Sequence, residues 1–271
     1  MRACGRDFAD AWTLCRNNTM ISAKFASNIY NAVRYLNRRR IDGDILEAGV
    51  WRGGASCVMA CAQLHDESYW LSGSRSVRHF WLLDTFDGMH GQSANDGARV
   101  AAGVQALAEG RMPDQIVDSR WVEASKWNYA PENVVRLTMR MPGLSPSRVH
   151  LVKGPVESTL DSRHIGSSGL PPKLALVRLD TDWYASTLIE LQALWPKLEP
   201  GGWLFVDDYF TWPGAKKAVD EWIAEHNWTA AAQQAHAFGL DARRHKMRNF
   251  VGKSRPYSMS VPFLKYRSGV P

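Results

Sequence analysis

Apolar positions along this chain fall into two periods, one helical and one strand-like. Between residues 22 and 37, "SAKFASNIYNAVRYLN", Phe25, Ile29, Ala32, Val33 and Leu36 recur at helical spacing and predict an amphipathic helix. "IDGDILEAGVWRGGASCVMACAQL" then reads as strand, glycine turn and helix, and "HFWLLDTFDGM" as a second strand ending at Asp84. "RVHLVKG" predicts a strand from Arg148 to Lys153. "KLALVRLD" is continuously apolar apart from Arg178, as a strand buried on both faces should be. A helix follows with Tyr184, Leu188, Leu191 and Leu194 on one face. "PKLEPGG" predicts a turn, "WLFVDD" another buried strand, and "GAKKAVDEWIAEH" a helix burying Ala215, Ala218, Val219, Trp222 and Ile223. The pattern is weakest between residues 91 and 147, where helical spacing around 98–109 and 131–141 is separated by the tryptophan-bearing "DSRWVEASKWNY". Beyond Trp228, "WTAAAQQAH" and "SMSVPFLKYR" are strand-like with no helix between them, which predicts an antiparallel C-terminal hairpin at a sheet edge.

Strands alternating with helices imply an α/β fold with a mainly parallel sheet covered on both sides. With 271 residues the chain can bury a full core, and one domain over residues 1–271 is expected. Apolar content of 45% and charged content of 22% are those of a soluble globular protein. No apolar run approaches the roughly 20 residues needed to span a bilayer. The start, "MRACGRDFADAWTL", lacks a signal layout, so a cytoplasmic protein is expected. Cys4, Cys15, Cys57 and Cys61 suggest no disulfide framework, and Cys57 and Cys61 read as small core residues rather than metal ligands. The net charge of +6 gathers mostly in "NRRR" at 37–40 and "DARRHKMR" at 241–248, outside any nucleic-acid-binding signature. It reads as a solvated basic face, and no nucleic-acid or membrane partner is expected.

Candidate chemistry lies at the strand ends, where open α/β sheets gather ligands. In "LEAGVWRGG", Gly49, Gly53 and Gly54 allow a tight turn and close approach of a ligand, although tight strand–helix packing would use them equally well. Glu47 stands where a dinucleotide fingerprint has its first glycine. It would repel a pyrophosphate and suits an ammonium or hydroxyls, and Asp84 is placed to accept from a ribose diol. This combination favours S-adenosylmethionine over NAD. Asp180, Asp207 and Asp208 close two apolar strands. If those strands are neighbours, about 5 Å apart, the carboxylates can converge on a hard cation such as Mg2+. The competing reading makes Asp182 and Asp208 helix caps or loop residues, with Arg178 pairing one of the others.

The segments "ILEAGVWRGGAS", "LLDTFDGM", "LVRLDTDWYAST", "PKLEPGGWLFVDDY" and "GAKKAVDEW", with "NTMISAKF" near the start, resemble the macrocin O-methyltransferase (TylF-like) family. The resemblance runs in order from Asn18 to Trp222. It implies a three-layer, Rossmann-like class I methyltransferase fold, S-adenosylmethionine and Mg2+, and methylation of a sugar hydroxyl of a natural product. It further implies Asp180, Asp207 and Asp208 as metal ligands and Asp182 as general base. Glu47, Gly49, Gly53 and Asp84 fall in cofactor-binding segments, and Thr19 and Met20 in a segment that closes over the site. Residues 1–40 would form a helical lid and residues 91–147 a variable acceptor lid, with Trp121 and Trp127 as candidate acceptor contacts. The family commonly has glycine where this chain has Thr181. A hydroxylated small molecule is the expected partner, a homo-oligomer is possible, and a catechol-type acceptor would use the same metal logic.

Overall fold

The computed structural model describes residues 4–5, 7–69, 77–89, 91–97, 122–123, 126–160, 169–226 and 261–265. Helix α1 (Phe8–Cys15) begins where the Asp7 side chain accepts the Asp10 amide at 3.1 Å, satisfying a first-turn donor that has no partner inside the helix. Ser22 does the same for α2 (Ala23–Arg39), accepting from the Phe25 amide at 3.2 Å, and Arg40 ends that helix in the left-handed region. The apolar face expected from the sequence is the one α2 buries, with Ala26 and Tyr30 added to it.

Strand β1 (Asp44–Ala48) passes through the glycine turn into α3 (Gly54–Tyr69), and β2 (Phe80–Asp84) follows. A two-rung antiparallel ladder, β3 (Val122–Glu123) with β4 (Lys126–Trp127), precedes α4 (Glu132–Arg140) and β5 (Val149–Lys153). The single turn α5 (Val156–Thr159), then β6 (Leu174–Leu179), α6 (Tyr184–Leu194), β7 (Leu198–Val206), α7 (Pro213–Glu225) and β8 (Val261–Leu264) complete the described chain.

The main sheet has the order β5-β2-β1-β6-β7-β8, parallel except for β8, which runs antiparallel to β7. The chain moves outward from β1 to β2 to β5 and then returns to the other side of β1. The order therefore reverses between β1 and β6, and the crevice at their carboxyl ends is where such sheets hold ligands. Alternate residues of each strand feed two cores, one on each face. Ile45, Leu176 and Phe205 join α1, α2, α3 and α4, whereas Leu46, Val177 and Leu204 join α6 and α7. This is the expected three-layer α/β arrangement.

Two expectations are corrected. "PKLEPGG" is more than a turn: β7 already begins at Leu198 and runs through it, with a register shift opposite Leu174–Leu176 that Gly201, at φ 90°, accommodates. Cys15 and Cys57 are joined as a disulfide with Cα atoms 6.0 Å apart, because α1 lies across α3 and erases their separation of 42 residues along the chain. Cys57 and Cys61 are buried, as core residues should be. Of the predicted hairpin, β8 is present as one antiparallel edge strand; its other half, 228–236, lies outside the described residues. So do the helical pattern at 98–109 and Trp121, and of Trp127 only the strand backbone is described. Among the described residues no helix is long and apolar enough to cross a membrane.

Candidate active site

Sheet register puts the predicted carboxylates together. Glu47 on β1 stands opposite Arg178 on β6, and Leu179 on β6 stands opposite Val206 on β7. One further rung on each side carries the tips: the Asp180 amide donates to the Ala48 carbonyl and the Asp207 amide to the Leu179 carbonyl, both at 2.8 Å. One carboxylate oxygen from each of Asp180, Asp207 and Asp208 lies within 4.8 Å of the others. Asp182 is hydrogen-bonded to Asp208. Both residues of that pair have left-handed backbone, φ 67° for Asp182 and φ 58° for Asp208, which turns each chain end back over its strand tip.

Arg178 answers part of the charge problem posed by these acids. Its guanidinium is buried and bonds Glu47 and Asp207, and it reaches Asp180 Oδ2 at 2.7 Å. Burial pulls its pKa down, but Asp180, Asp207 and Glu47 outweigh that and hold it well above the usual arginine value. One cation is still too few for Glu47, Asp180, Asp182, Asp207 and Asp208. Burial pushes Glu47 upward, against the pull of Arg178. Asp180 and Asp208 stand well above the ordinary carboxylate range, again through burial first and then through neighbouring acids. Asp182 is raised to about 7, by burial, against its hydrogen bond with Asp208. Protons thus replace positive charge that the protein itself lacks. The donor set is all oxygen, the oxygens already converge, and the local charge is in deficit, so a hard divalent cation fits these residues.

The glycine turn divides differently from its sequence reading. A Cβ on Gly49 would overlap the Asp180 carbonyl, and one on Gly54 the Asn18 carbonyl, while at Gly53 it would come within 3.3 Å of Val135. These glycines make room for protein: β6 behind, the Asn18–Thr19 segment above and α4 beside. Asp84 is the turn's anchor. Its Oδ2 accepts the Val50 and Trp51 amides at 2.7 and 3.1 Å, and its Oδ1 accepts the Phe86 amide at 2.8 Å. Burial raises its pKa while those bonds oppose the rise. Glu47 faces inward with one oxygen on Arg178 and the other accepting from the Ser56 hydroxyl. Thr19, with Asn18, lies against the start of α3, Thr19 and Met20 are partly buried, and Thr19 Oγ1 accepts the Ile21 amide at 3.3 Å.

Other contributors give little sign in the sequence. Thr181 turns away from its flanking aspartates and donates to Glu190 on α6 at 3.1 Å, where Glu190 is fully buried and, through that burial, well above its ordinary pKa. Asp96, 88 residues away along the chain, accepts the Tyr184 amide at 2.7 Å and so caps α6 just beyond Asp182. Around the tips stand aromatic rings: Trp183 against Trp212 with centroids 5.7 Å apart, and Phe210, which is 56% exposed. The capping S/T/D pattern could have suggested Asp96 only if residue 96 were known to lie beside residue 184.

Comparison with known proteins gives a consistent picture. The family described as Macrocin-O-methyltransferase (TylF) matches residues 1–243. A demethyldecarbamoylnovobiocin O-methyltransferase of Streptomyces niveus is 32% identical over 209 residues, 77% of this chain and 68% of that protein. An 8-demethyl-8-(2,3-dimethoxy-alpha-L-rhamnosyl)-tetracenomycin-C 4'-O-methyltransferase of Streptomyces olivaceus is 30% identical over the same length, 77% of this chain and 67% of its own. Among solved structures, that of the O-methyltransferase NovP superposes with a TM-score of 0.62 at 25% identity, covering 92% of this chain and 83% of that one.

Proposed function

We propose, for a chain that belongs to the macrocin-O-methyltransferase family, that it transfers the methyl group of S-adenosylmethionine to a sugar hydroxyl of a glycosylated natural product, with Mg2+ held at the aspartate tips. That it is a methyltransferase follows from the family and its named relatives. The Mg2+ part of the reading is carried by one observation: one carboxylate oxygen from each of Asp180, Asp207 and Asp208 lies within 4.8 Å of the others, with Asp182 hydrogen-bonded to Asp208. The acceptor class is supported by the Streptomyces olivaceus relative, whose name specifies a rhamnosyl substrate.

When bound, the cation would acidify a chelated hydroxyl, and the sulfonium would supply the methyl group. Asp180, Asp207 and Asp208 would hold the cation, and Arg178 fixes two of these ligands relative to Glu47. Asp182 would take the hydroxyl proton on its carboxylate. Burial holds its carboxyl above the ordinary aspartate range, which strengthens it as a proton acceptor once ionised. Its left-handed backbone and its bond to Asp208 orient the carboxylate before any substrate arrives. Phe210 offers an exposed apolar face beside the tips on which a sugar or aglycone could stack.

The test is methyl transfer followed by mass spectrometry, using S-adenosylmethionine and a demethylated, glycosylated acceptor. Transfer to the sugar hydroxyl is expected, abolished by EDTA and restored by Mg2+. Full activity in chelator would end the Mg2+ assignment. Transfer to a catechol but to no sugar would move the acceptor class.

A further inference from the structure

The cysteines of the chain gather around α3, far in sequence from the aspartate tips. Cys57 and Cys61 lie one turn apart on the same face of α3, Cys15 closes α1, and Cys4 sits in the turn before α1. The sulfurs of Cys15, Cys57 and Cys61 are within 4.8 Å of one another, and the Cys4 thiol is hydrogen-bonded to that of Cys61. None of the four is more than 3% exposed. The disulfide accounts for Cys15 and Cys57 and leaves Cys4 and Cys61 outside it. A single cross-link between Cys15 and Cys57 does not require Cys61 to lie beside it or Cys4 to lie beside Cys61.

We propose that, in the reduced chain, Cys4, Cys15, Cys57 and Cys61 form a four-sulfur site for one Zn2+. Zinc–thiolate bonds of about 2.3 Å in a tetrahedron set sulfurs about 3.8 Å apart; Cys15, Cys57 and Cys61 already lie within 4.8 Å of one another, and Cys4 would move in from its contact with Cys61. An all-sulfur set selects zinc and excludes the hard cation suited to the aspartates. The chemistry balances. A dithiol reductant delivers two electrons and two protons to the Cys15–Cys57 bond and itself becomes a disulfide. Zn2+ then displaces the protons of the four thiols, which pass to solvent. The site bolts the turn before α1 and the end of α1 to α3. The chain beyond α1 runs directly to Asn18 and Thr19, which lie against Gly54 at the start of that same helix. The bolt therefore fixes the root of the segment that covers the glycine turn.

The experiment uses the full chain, reduced with a dithiol, loaded with Zn2+ and desalted, with metal content measured by mass spectrometry. Co2+ loaded in its place reports the donor atoms through its sulfur charge-transfer absorption. About one Zn2+ per chain and a tetrahedral thiolate cobalt spectrum are expected. Cys4→Ser should weaken retention at least about tenfold, since losing a ligand should cost no less than losing its supporting partner. Asp207→Asn should leave the cobalt spectrum unchanged. Because the metal content of the unmutated chain is read first, a variant that fails to fold does not blunt the test. Reduced wild-type chain that retains no Zn2+, or cobalt bound without a sulfur band, overturns the proposal.

Discussion

The two ends of the main sheet bury opposite kinds of charge arrangement. At the amino ends of the strands, Arg78 donates to Asn37 at 3.1 Å and to the carbonyls of Ile41 and Gly43. Arg148 grips both oxygens of Glu67, at 2.7 and 3.1 Å, and Asp66 accepts from Arg34 and Asn37 at 3.1 and 3.2 Å. Asp44 takes the His79 amide and the Trp81 indole N–H, both at 2.9 Å. Each acid there has its donor. At the carboxyl ends, five carboxylates crowd around Arg178, which pairs with three of them, and four of the five respond to burial by holding protons more tightly. A polar network that closes on itself holds a fold together. One that is left short of positive charge is built to receive it, which is why perturbed carboxylates gather at functional sites.

Substitutions at each end should separate chemistry from stability. Asp182→Asn is expected to lower turnover by about 10^2- to 10^4-fold, the usual value of a general base, with the melting temperature unchanged or higher. Initial rates and thermal unfolding check this, and unimpaired turnover would remove Asp182 from the reaction. Arg78→Met should do the reverse. It strips the donor from two backbone carbonyls and Asn37, at about 1–3 kcal/mol for each buried acceptor left bare, and a lowered urea midpoint with preserved kcat in the folded protein is expected. Lost turnover in an equally stable Arg78→Met protein would erase the contrast.

The deficit itself can be read by varying pH without metal. Folded Asp182 keeps its proton up to about 7, whereas an ordinary aspartate releases it near 3.8, so in that window the folded state binds more protons than the unfolded one. Stability should therefore fall as pH rises from 3.8 through about 7, with Glu47, Asp180 and Asp208 acting in the same direction. Mg2+ should lessen the fall. A melting temperature in chelator that climbs through this range would mean that the carboxyl end is not short of positive charge. The smallest effect is expected from Thr181→Gly, which removes one donor from Glu190 and should cost about 1 kcal/mol while leaving turnover intact. A large loss of activity there would tie Glu190 to the reacting groups.

What was legible in the sequence is what repeats locally. A glycine turn gave the end of β1, and apolar runs ending in acid gave β2, β6 and β7 and brought Asp180, Asp207 and Asp208 to adjacent tips, because in parallel strands a shared pattern implies a shared end. Helical spacing gave the buried faces of α2 and α7, whereas α6 buries Ser186, Thr187 and Glu190 beside Leu191 and Leu194 and leaves Tyr184 and Leu188 only partly covered. Contacts between distant segments stayed hidden. Arg178 could be foreseen as a partner for one acid but not as the common partner of Glu47, Asp180 and Asp207, which depends on strand order. Asp96 capping α6 and the meeting of Cys15, Cys57 and Cys61 likewise depend on which elements cross. Glu47 and Asp84 were placed at the correct strand ends. Their oxygens turn out to be committed to Arg178, Ser56 and the turn amides, a matter of side-chain direction that no spacing encodes.

The left-handed backbone shared by Asp182 and Asp208 has a consequence for how this protein can change over generations. Few residues tolerate that conformation; asparagine and glycine, along with aspartate, are the chief ones. Both are a single base away from any aspartate codon. A lineage can therefore discard the charge at either position while the chain keeps its path and its sheet. Chains with one acid fewer at the strand tips lie one mutation away, and the fold offers no resistance to them.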